Sequence, residues 1–138
     1  MITIDPQYKN GFLKEYTHWY LVVSFLQHTP GSFIILARRE VEKFSDMTPE
    51  ELAELIVVMK TMEGALQKTF QPDRFNYLQL GNAYYNLHFH GVPRYATART
   101  FDGKEFVDVN YGRPVVWVRE DFDAEYILQM RDYILPHL

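Results

Sequence analysis

The apolar positions along this chain change rhythm several times. From Tyr16 to Gln27 they are nearly continuous and rich in Trp, Tyr, Val, Phe and Leu, which is strand composition. His28-Thr29-Pro30-Gly31 is a turn signal. Ser32 to Ala37 is a second apolar run, so the two predict a β-hairpin. Neither run alternates with polar residues, which predicts strands covered on both faces. The rhythm turns helical after Thr48-Pro49-Glu50-Glu51. Thr48 suits an N-cap, Pro49 the first helical position, and Glu51 completes a capping box. Leu52, Leu55, Ile56, Met59, Met62 and Leu66 follow at helical spacing. They predict one apolar helix face packed on a core, running to about Phe70 before Pro72-Asp73 stops it.

Phe75 to Leu80 reads as a strand, Gly81-Asn82 as a turn, and Tyr84 to Tyr95 as another strand ending near Pro93. Gly103 and Gly112 mark loops in a polar stretch. Asp121 or Asp123 can cap a last helix, placed at residues 120–135, with Ile127, Met130 and Ile134 on one face and Pro136 at its end. Residues 1–15 mix Pro6, Gly11, charges and single apolars, and read as an N-terminal arm. Strands and helices mix without a βαβα rhythm. That favours an α+β fold with an antiparallel sheet, and 138 residues without a linker or repeat suggest one domain, 1–138.

Composition narrows the chemistry. Cysteine is absent, so there is no disulfide framework, no thiolate nucleophile and no Cys-based metal site. This agrees with a cytoplasmic setting. The net charge of −4 disfavours binding of long nucleic acid, which is normally basic work. It leaves room for a small phosphate-bearing ligand in a locally favourable pocket. No apolar run is long enough for a membrane span, and the N-terminus lacks the pattern of a secretory signal. Aromatics reach 16%, mostly within predicted strands. The pair Tyr84-Tyr85 is left open between ligand contact and packing.

The informative segment is Tyr85-Asn86-Leu87-His88-Phe89-His90-Gly91-Val92-Pro93-Arg94. Side chains two apart on a strand share a face. Asn86, His88 and His90 are therefore expected on one face, with Leu87 and Phe89 directed to the core. Imidazole is a good nucleophile at neutral pH, and a second imidazole beside it can donate to an anionic oxygen. Alternate histidines can also share a metal ion. A third ligand would then be expected nearby, and no Asp, Glu or His follows within ten residues of His90.

The ordered set Asn86-Leu87-His88-Phe89-His90-Gly91-Val92-Pro93-Arg94 resembles the signature of the histidine triad nucleotide hydrolases and transferases. Pro30 to Arg39, Phe44 to Leu52 and Phe75 to Asn82 resemble that family's hairpin, helix start and pre-motif strand. Thr100 to Asp108 resembles an insertion of one prokaryotic branch. The similarity spans roughly residues 16 to 112. It implies a five-stranded antiparallel sheet flanked by helices, homodimerisation, and a purine nucleotide as partner, with no cofactor and no metal ligand from the protein. It also implies cleavage at the α-phosphate of a dinucleoside polyphosphate or nucleoside phosphoramidate through a nucleotidyl-histidine intermediate. By motif position His88 would be the nucleophile and His90 a contact to phosphate oxygens. Asn76 and Asn82 would lie near the phosphates, and Arg94 could add positive potential or be a solvated strand-end residue. Ser24 falls near the ribose-binding position.

The chain departs from that pattern at Asn86, where the family has its first histidine. It departs again at Glu40, where a further histidine is usual, and at Ala83, where a hydroxyl is common. Gly91 replaces an apolar residue and is expected to loosen the strand. The alternative function is a non-catalytic nucleotide-binding or interaction module on the same fold.

Overall fold

The computed structural model describes residues 1–118 and 122–138. Five strands form one antiparallel sheet: β1 (Phe12–Glu15), β2 (Trp19–Val23), β3 (Phe33–Ala37), β4 (Arg74–Leu78) and β5 (His88–Arg94). Their order is β1-β2-β3-β5-β4. A long helix, α1 (Pro49–Thr69), enters between β3 and β4. Beyond β5 come a small hairpin, β6 (Arg99–Phe101) with β7 (Lys104–Phe106), and a C-terminal helix, α2 (Ala124–Ile134). The α+β class, the antiparallel sheet and both helices are as the sequence pattern predicts, and the five strands are as the resemblance implies.

The pleat sorts the sheet into two faces. Trp19, Leu21, Val23, Phe33, Ile35, Ala37 and Phe89 point to the helices. They pack with Leu55, Val58, Met62 and Leu66 of α1 and with Ile127, Met130 and Ile134 of α2. Tyr20, Val22, Ile34 and Leu36 point the other way and are buried with Tyr8. Every residue of β2 and β3 is buried, which is why neither run alternates in sequence. His88 lies opposite Leu36 and His90 opposite Ile34, so both imidazoles stand on the face away from the helices.

The capping box forms as written. Thr48 Oγ1 accepts from the Glu51 N–H, and Glu51 accepts in return from the Thr48 N–H. Arg39 donates to both Glu51 oxygens, which ties the helix start to the exit of β3. The buried line of α1 is rotated from the predicted stripe. Val58 is fully buried, while Leu52 and Ile56 are 45% and 48% exposed. Val58 packs into the core with the sheet residues, whose position the periodicity alone could not locate.

Three further expectations change. Residues 1–15 are not only an arm: Pro6–Gly11 forms a 3-10 turn, and Phe12–Glu15 pairs with β2. This strand hides in sequence because it is four residues long and carries Lys14 and Glu15, the charged composition typical of an edge. The histidine strand begins at His88 rather than Tyr84 and runs through Pro93. Pro93 fits because β3 pairing stops at Gly91, leaving only β4 alongside. Gly91 does not loosen the strand. A Cβ there would meet the Phe33 ring at 2.1 Å, so the missing side chain is what lets Phe33 lie against β5. Asp123 caps α2, its carboxylate accepting from the Glu125 N–H. Asp121, with the start of the predicted 120–135 helix, lies outside the described residues.

Candidate functional site

The hairpin after β2, the turn after β4 and the N-terminal 3-10 turn converge over the histidine face of the sheet. They enclose a cavity of about 640 Å³ lined by His88, His90, Tyr8, Phe25, Tyr84 and Trp117, with Asn82 and Ala83 at the turn. His88 and His90 are neighbours, with ring centroids 4.9 Å apart and planes at 74°. Tyr84 lies 5.5 Å from His88, and Tyr84 in turn contacts Tyr8. Trp117 meets His90 edge-on at 4.9 Å. Aromatic rings thus flank both imidazoles.

Nδ1 of His88 lies 2.7 Å from the Asn86 carbonyl oxygen. A carbonyl only accepts, so Nδ1 carries the proton and donates it. Nε2 is then left with its lone pair, the form a nucleophile needs. Burial lowers the His88 pKa, and the carbonyl contact only partly offsets it. Burial also pushes His90 down to about 3, with His88 and His28 adding to the shift. Both imidazoles are therefore neutral at pH 7. A neutral His90 can still donate one N–H to a phosphate oxygen.

His28 enters from the hairpin turn and was not distinguishable in sequence from an ordinary turn residue. It stacks on Trp117 at 4.0 Å, and its Nδ1 accepts from the Val118 N–H. Burial pushes its pKa down to about 4. Tyr8, Phe25 and Trp117 carry no motif at all, and only folding brings them to the cavity.

The remaining predicted site residues are placed as follows. Asn86 is not among the residues lining the histidine cavity. Its Oδ1 accepts from the Val41 N–H, and its Nδ2 donates to the carbonyls of Ala37 and Arg39. It clips β5 to the exit of β3, and its own carbonyl orients His88. Ser24 is buried in the hairpin, where its Oγ accepts from the Leu26 N–H, and it is not among the residues lining the cavity. Glu40 is exposed beside Tyr85 and Asn86 in a separate shallow depression. Asn76 shares the sheet face with His90 but lines a neighbouring cleft with Arg94.

Arg94 is neither solvated nor in the histidine cavity. It is 3% exposed. It donates to both oxygens of Asp108, to Asn76 Oδ1, and to the carbonyls of Asn110 and Arg113. These bonds fasten the segment 108–118, a strap that brings Trp117 to the histidine cavity. Among the described residues, no group of three or more metal-ligating side chains converges. No helix among them is long and apolar enough to cross a membrane.

Residues 7–97 match the HIT domain family. The chain belongs to that family. Its fold superposes on a histidine triad (HIT) protein from Sinorhizobium meliloti with a TM-score of 0.74 at 20% identity, covering 99% of this chain and 96% of the other. A Hit-like protein from Bartonella henselae gives 0.70 at 18%, covering 93% and 86%. The diadenosine triphosphate hydrolase of Plasmodium falciparum gives 0.70 at 14%, covering 97% and 78%. The HIT match ends before the strap, so Trp117 and the Arg94 anchor points at Asp108, Asn110 and Arg113 lie beyond the matched module.

Two buried imidazoles, His28 and His88, and the half-buried His90, all with lowered pKa values, set a pH dependence. The unfolded chain protonates each near pH 6.5, roughly, whereas the folded chain does so only at lower pH. Below about pH 6.5 the unfolded state therefore binds more protons, and stability falls as pH drops. Urea midpoints measured from about pH 8 to about pH 4 should decline below about 6.5, with a slope of up to three protons for His28, His88 and His90. A flat profile would contradict the neutral state of these rings.

Proposed function

We propose that this HIT protein is a nucleotide hydrolase or nucleotidyl transferase acting at the α-phosphate of a purine nucleotide derivative. A dinucleoside polyphosphate or nucleoside phosphoramidate is the substrate type. The observation that carries this reading is the Asn86 carbonyl holding the proton on Nδ1 of His88, so that Nε2 faces substrate as a neutral base. Nε2 attacks phosphorus, the N–P bond forms, and the bond to the leaving group breaks with the leaving group taking a proton from solvent water. Water, or another acceptor, then displaces the histidine and carries off the nucleotidyl group. His90 donates to a nonbridging oxygen as its charge grows, and Asn82 lies in the turn above. Tyr84 and Tyr8 provide apolar surface for a planar base.

Product chromatography on both substrate types, comparing wild type with His88→Ala, tests the reading. Equal release of nucleoside monophosphate by both proteins would overturn it. Binding of AMP or GMP by calorimetry without any turnover would favour the alternative, a nucleotide-binding module on the same cavity. A second copy of the chain is also proposed as partner, because Leu52, Ile56 and Val57 are exposed on α1 and β4 is a sheet edge. Light scattering at micromolar concentration should give twice the 16.4 kDa chain mass, and a monomer mass would remove this part. The setting proposed for this activity is the cytoplasm, which fractionation of the source cells would check.

A further inference from the structure

On the same sheet face as the histidines, but separate from their cavity, lies a cleft of about 490 Å³ whose lining includes Arg74, Arg94, Arg113, Asn76 and Tyr111. Among the described residues no carboxylate lines it, although the chain as a whole carries a net charge of −4. Register explains the convergence. Arg74 pairs with Arg94 and Asn76 with Val92 across β4 and β5. The strap that Arg94 fastens then brings Arg113 and Tyr111 over them.

The three arginines are not equivalent. Arg94 is neutralised by Asp108 and spends its donors on the strap. Arg74 and Arg113 are exposed. Among the described residues, neither side chain makes an ion pair or a hydrogen bond. Arg94 donates to Asn76 Oδ1, which fixes the orientation of that amide and leaves Nδ2 as a donor without a partner among the described residues. Two guanidinium forks and one oriented N–H₂ form a donor set with no acceptor among the described residues. Guanidinium forks match the oxygens of a phosphate in pairs.

We propose that this cleft is an anion subsite that takes a phosphate or oligophosphate group on Arg74, Arg113 and the Asn76 amide. Along β5, His90 and Arg94 stand on the same face about 13 Å apart at strand rise. The anion is therefore a phosphate remote from the reacting one, or a free oligophosphate. Binding in the cleft does not depend on the histidine reading; only the remote-phosphate source rests on it.

The test is a titration of inorganic pyrophosphate into isotope-labelled protein, followed by NMR on the Asn76 side-chain amide, the Arg74 and Arg113 Nε–H groups and the Tyr111 backbone. Wild type is compared with the double variant Arg74→Gln/Arg113→Gln, whose replaced side chains are exposed and leave the core intact. Shifts centred on those groups and an affinity at least about tenfold weaker in the double variant are expected. Equal affinity in both proteins, or shifts confined to His88 and His90, would overturn the subsite. A second arm measures turnover of a dinucleoside tetraphosphate and a nucleoside phosphoramidate. A KM raised about tenfold for the tetraphosphate alone, with kcat held, identifies a remote substrate phosphate. Unchanged KM values together with lost pyrophosphate binding identify a free oligophosphate. Absence of turnover in wild type would strike the proposed enzyme activity and leave the pyrophosphate result to decide the subsite by itself.

Discussion

His88→Ala is expected to lower nucleotide turnover by about 10⁴-fold or more, in the range seen when an enzyme loses its nucleophile. The methyl group leaves no atom able to form the N–P bond, and among the described residues only His90 stands close enough to be considered in its place. His90 stands beside it, but its pKa is held near 3, and no described carbonyl fixes its proton on one nitrogen. Binding should survive, because the walls built by Tyr8, Tyr84 and Trp117 do not depend on the His88 ring. His90→Ala removes a donor to the phosphate rather than the bond-forming atom, so its cost should be smaller, about 10²–10³-fold. Rapid-quench mass spectrometry adds a direct readout: a nucleotidyl adduct on wild type, absent from His88→Ala. The reading fails if both variants lose the same modest factor, or if His88→Ala still accumulates the adduct.

The parts of this molecule that local patterning encodes were legible in its sequence. Thr48-Pro49-Glu50-Glu51 gave the start of α1, and the continuous apolar runs gave β2 and β3. His88-Phe89-His90 gave the face that the imidazoles share. The less legible parts depend on contacts distant in sequence. Val58 becomes core because of where the sheet passes beneath α1. Asn86 continues the alternation on paper. In the fold, its amide finds three backbone partners at the exit of β3 and is not among the residues lining the cavity. Arg94 follows a Pro, as a strand-end residue would, yet its environment is made by Asp108, Asn110 and Arg113 from a polar stretch with no periodic signal. Trp117 is the clearest case. Nothing around it in the sequence points to the histidines. It arrives beside His90 because Arg94 anchors the strap upstream and His28 accepts from the Val118 N–H downstream.

That dependence makes Arg94→Met the variant with the largest expected effect on stability, a loss of about 3–5 kcal/mol at neutral pH. Arg94 and Asp108 are 4% and 5% exposed at the side chain. Removing the guanidinium strands a buried carboxylate and deprives Asn76 Oδ1 and two strap carbonyls of their donor. Burial alone would push the Asp108 pKa up, but the hydrogen bonds from Arg94 and from the Tyr95 N–H hold it below its ordinary value. A carboxyl held low in the fold contributes stability above its unfolded pKa, roughly 4, and loses it as pH falls through the folded value. In the variant, burial is opposed only by backbone hydrogen bonds such as that from the Tyr95 N–H, so Asp108 takes up a proton at higher pH and the stranded charge disappears. The deficit relative to wild type should therefore be largest near pH 7 and shrink toward pH 4, roughly. Urea denaturation at the two pH values checks the size and the sign. Acrylamide quenching checks the strap: Trp19 is fully buried, so any gain in quenching reports Trp117 leaving the histidine cavity. Replacing Asp108 as well, in Arg94→Met/Asp108→Asn, should recover part of the stability by removing the stranded charge, without restoring the strap bonds to Asn110 and Arg113. A deficit below about 1 kcal/mol at pH 7 would mean that the strap is held by its apolar contacts instead.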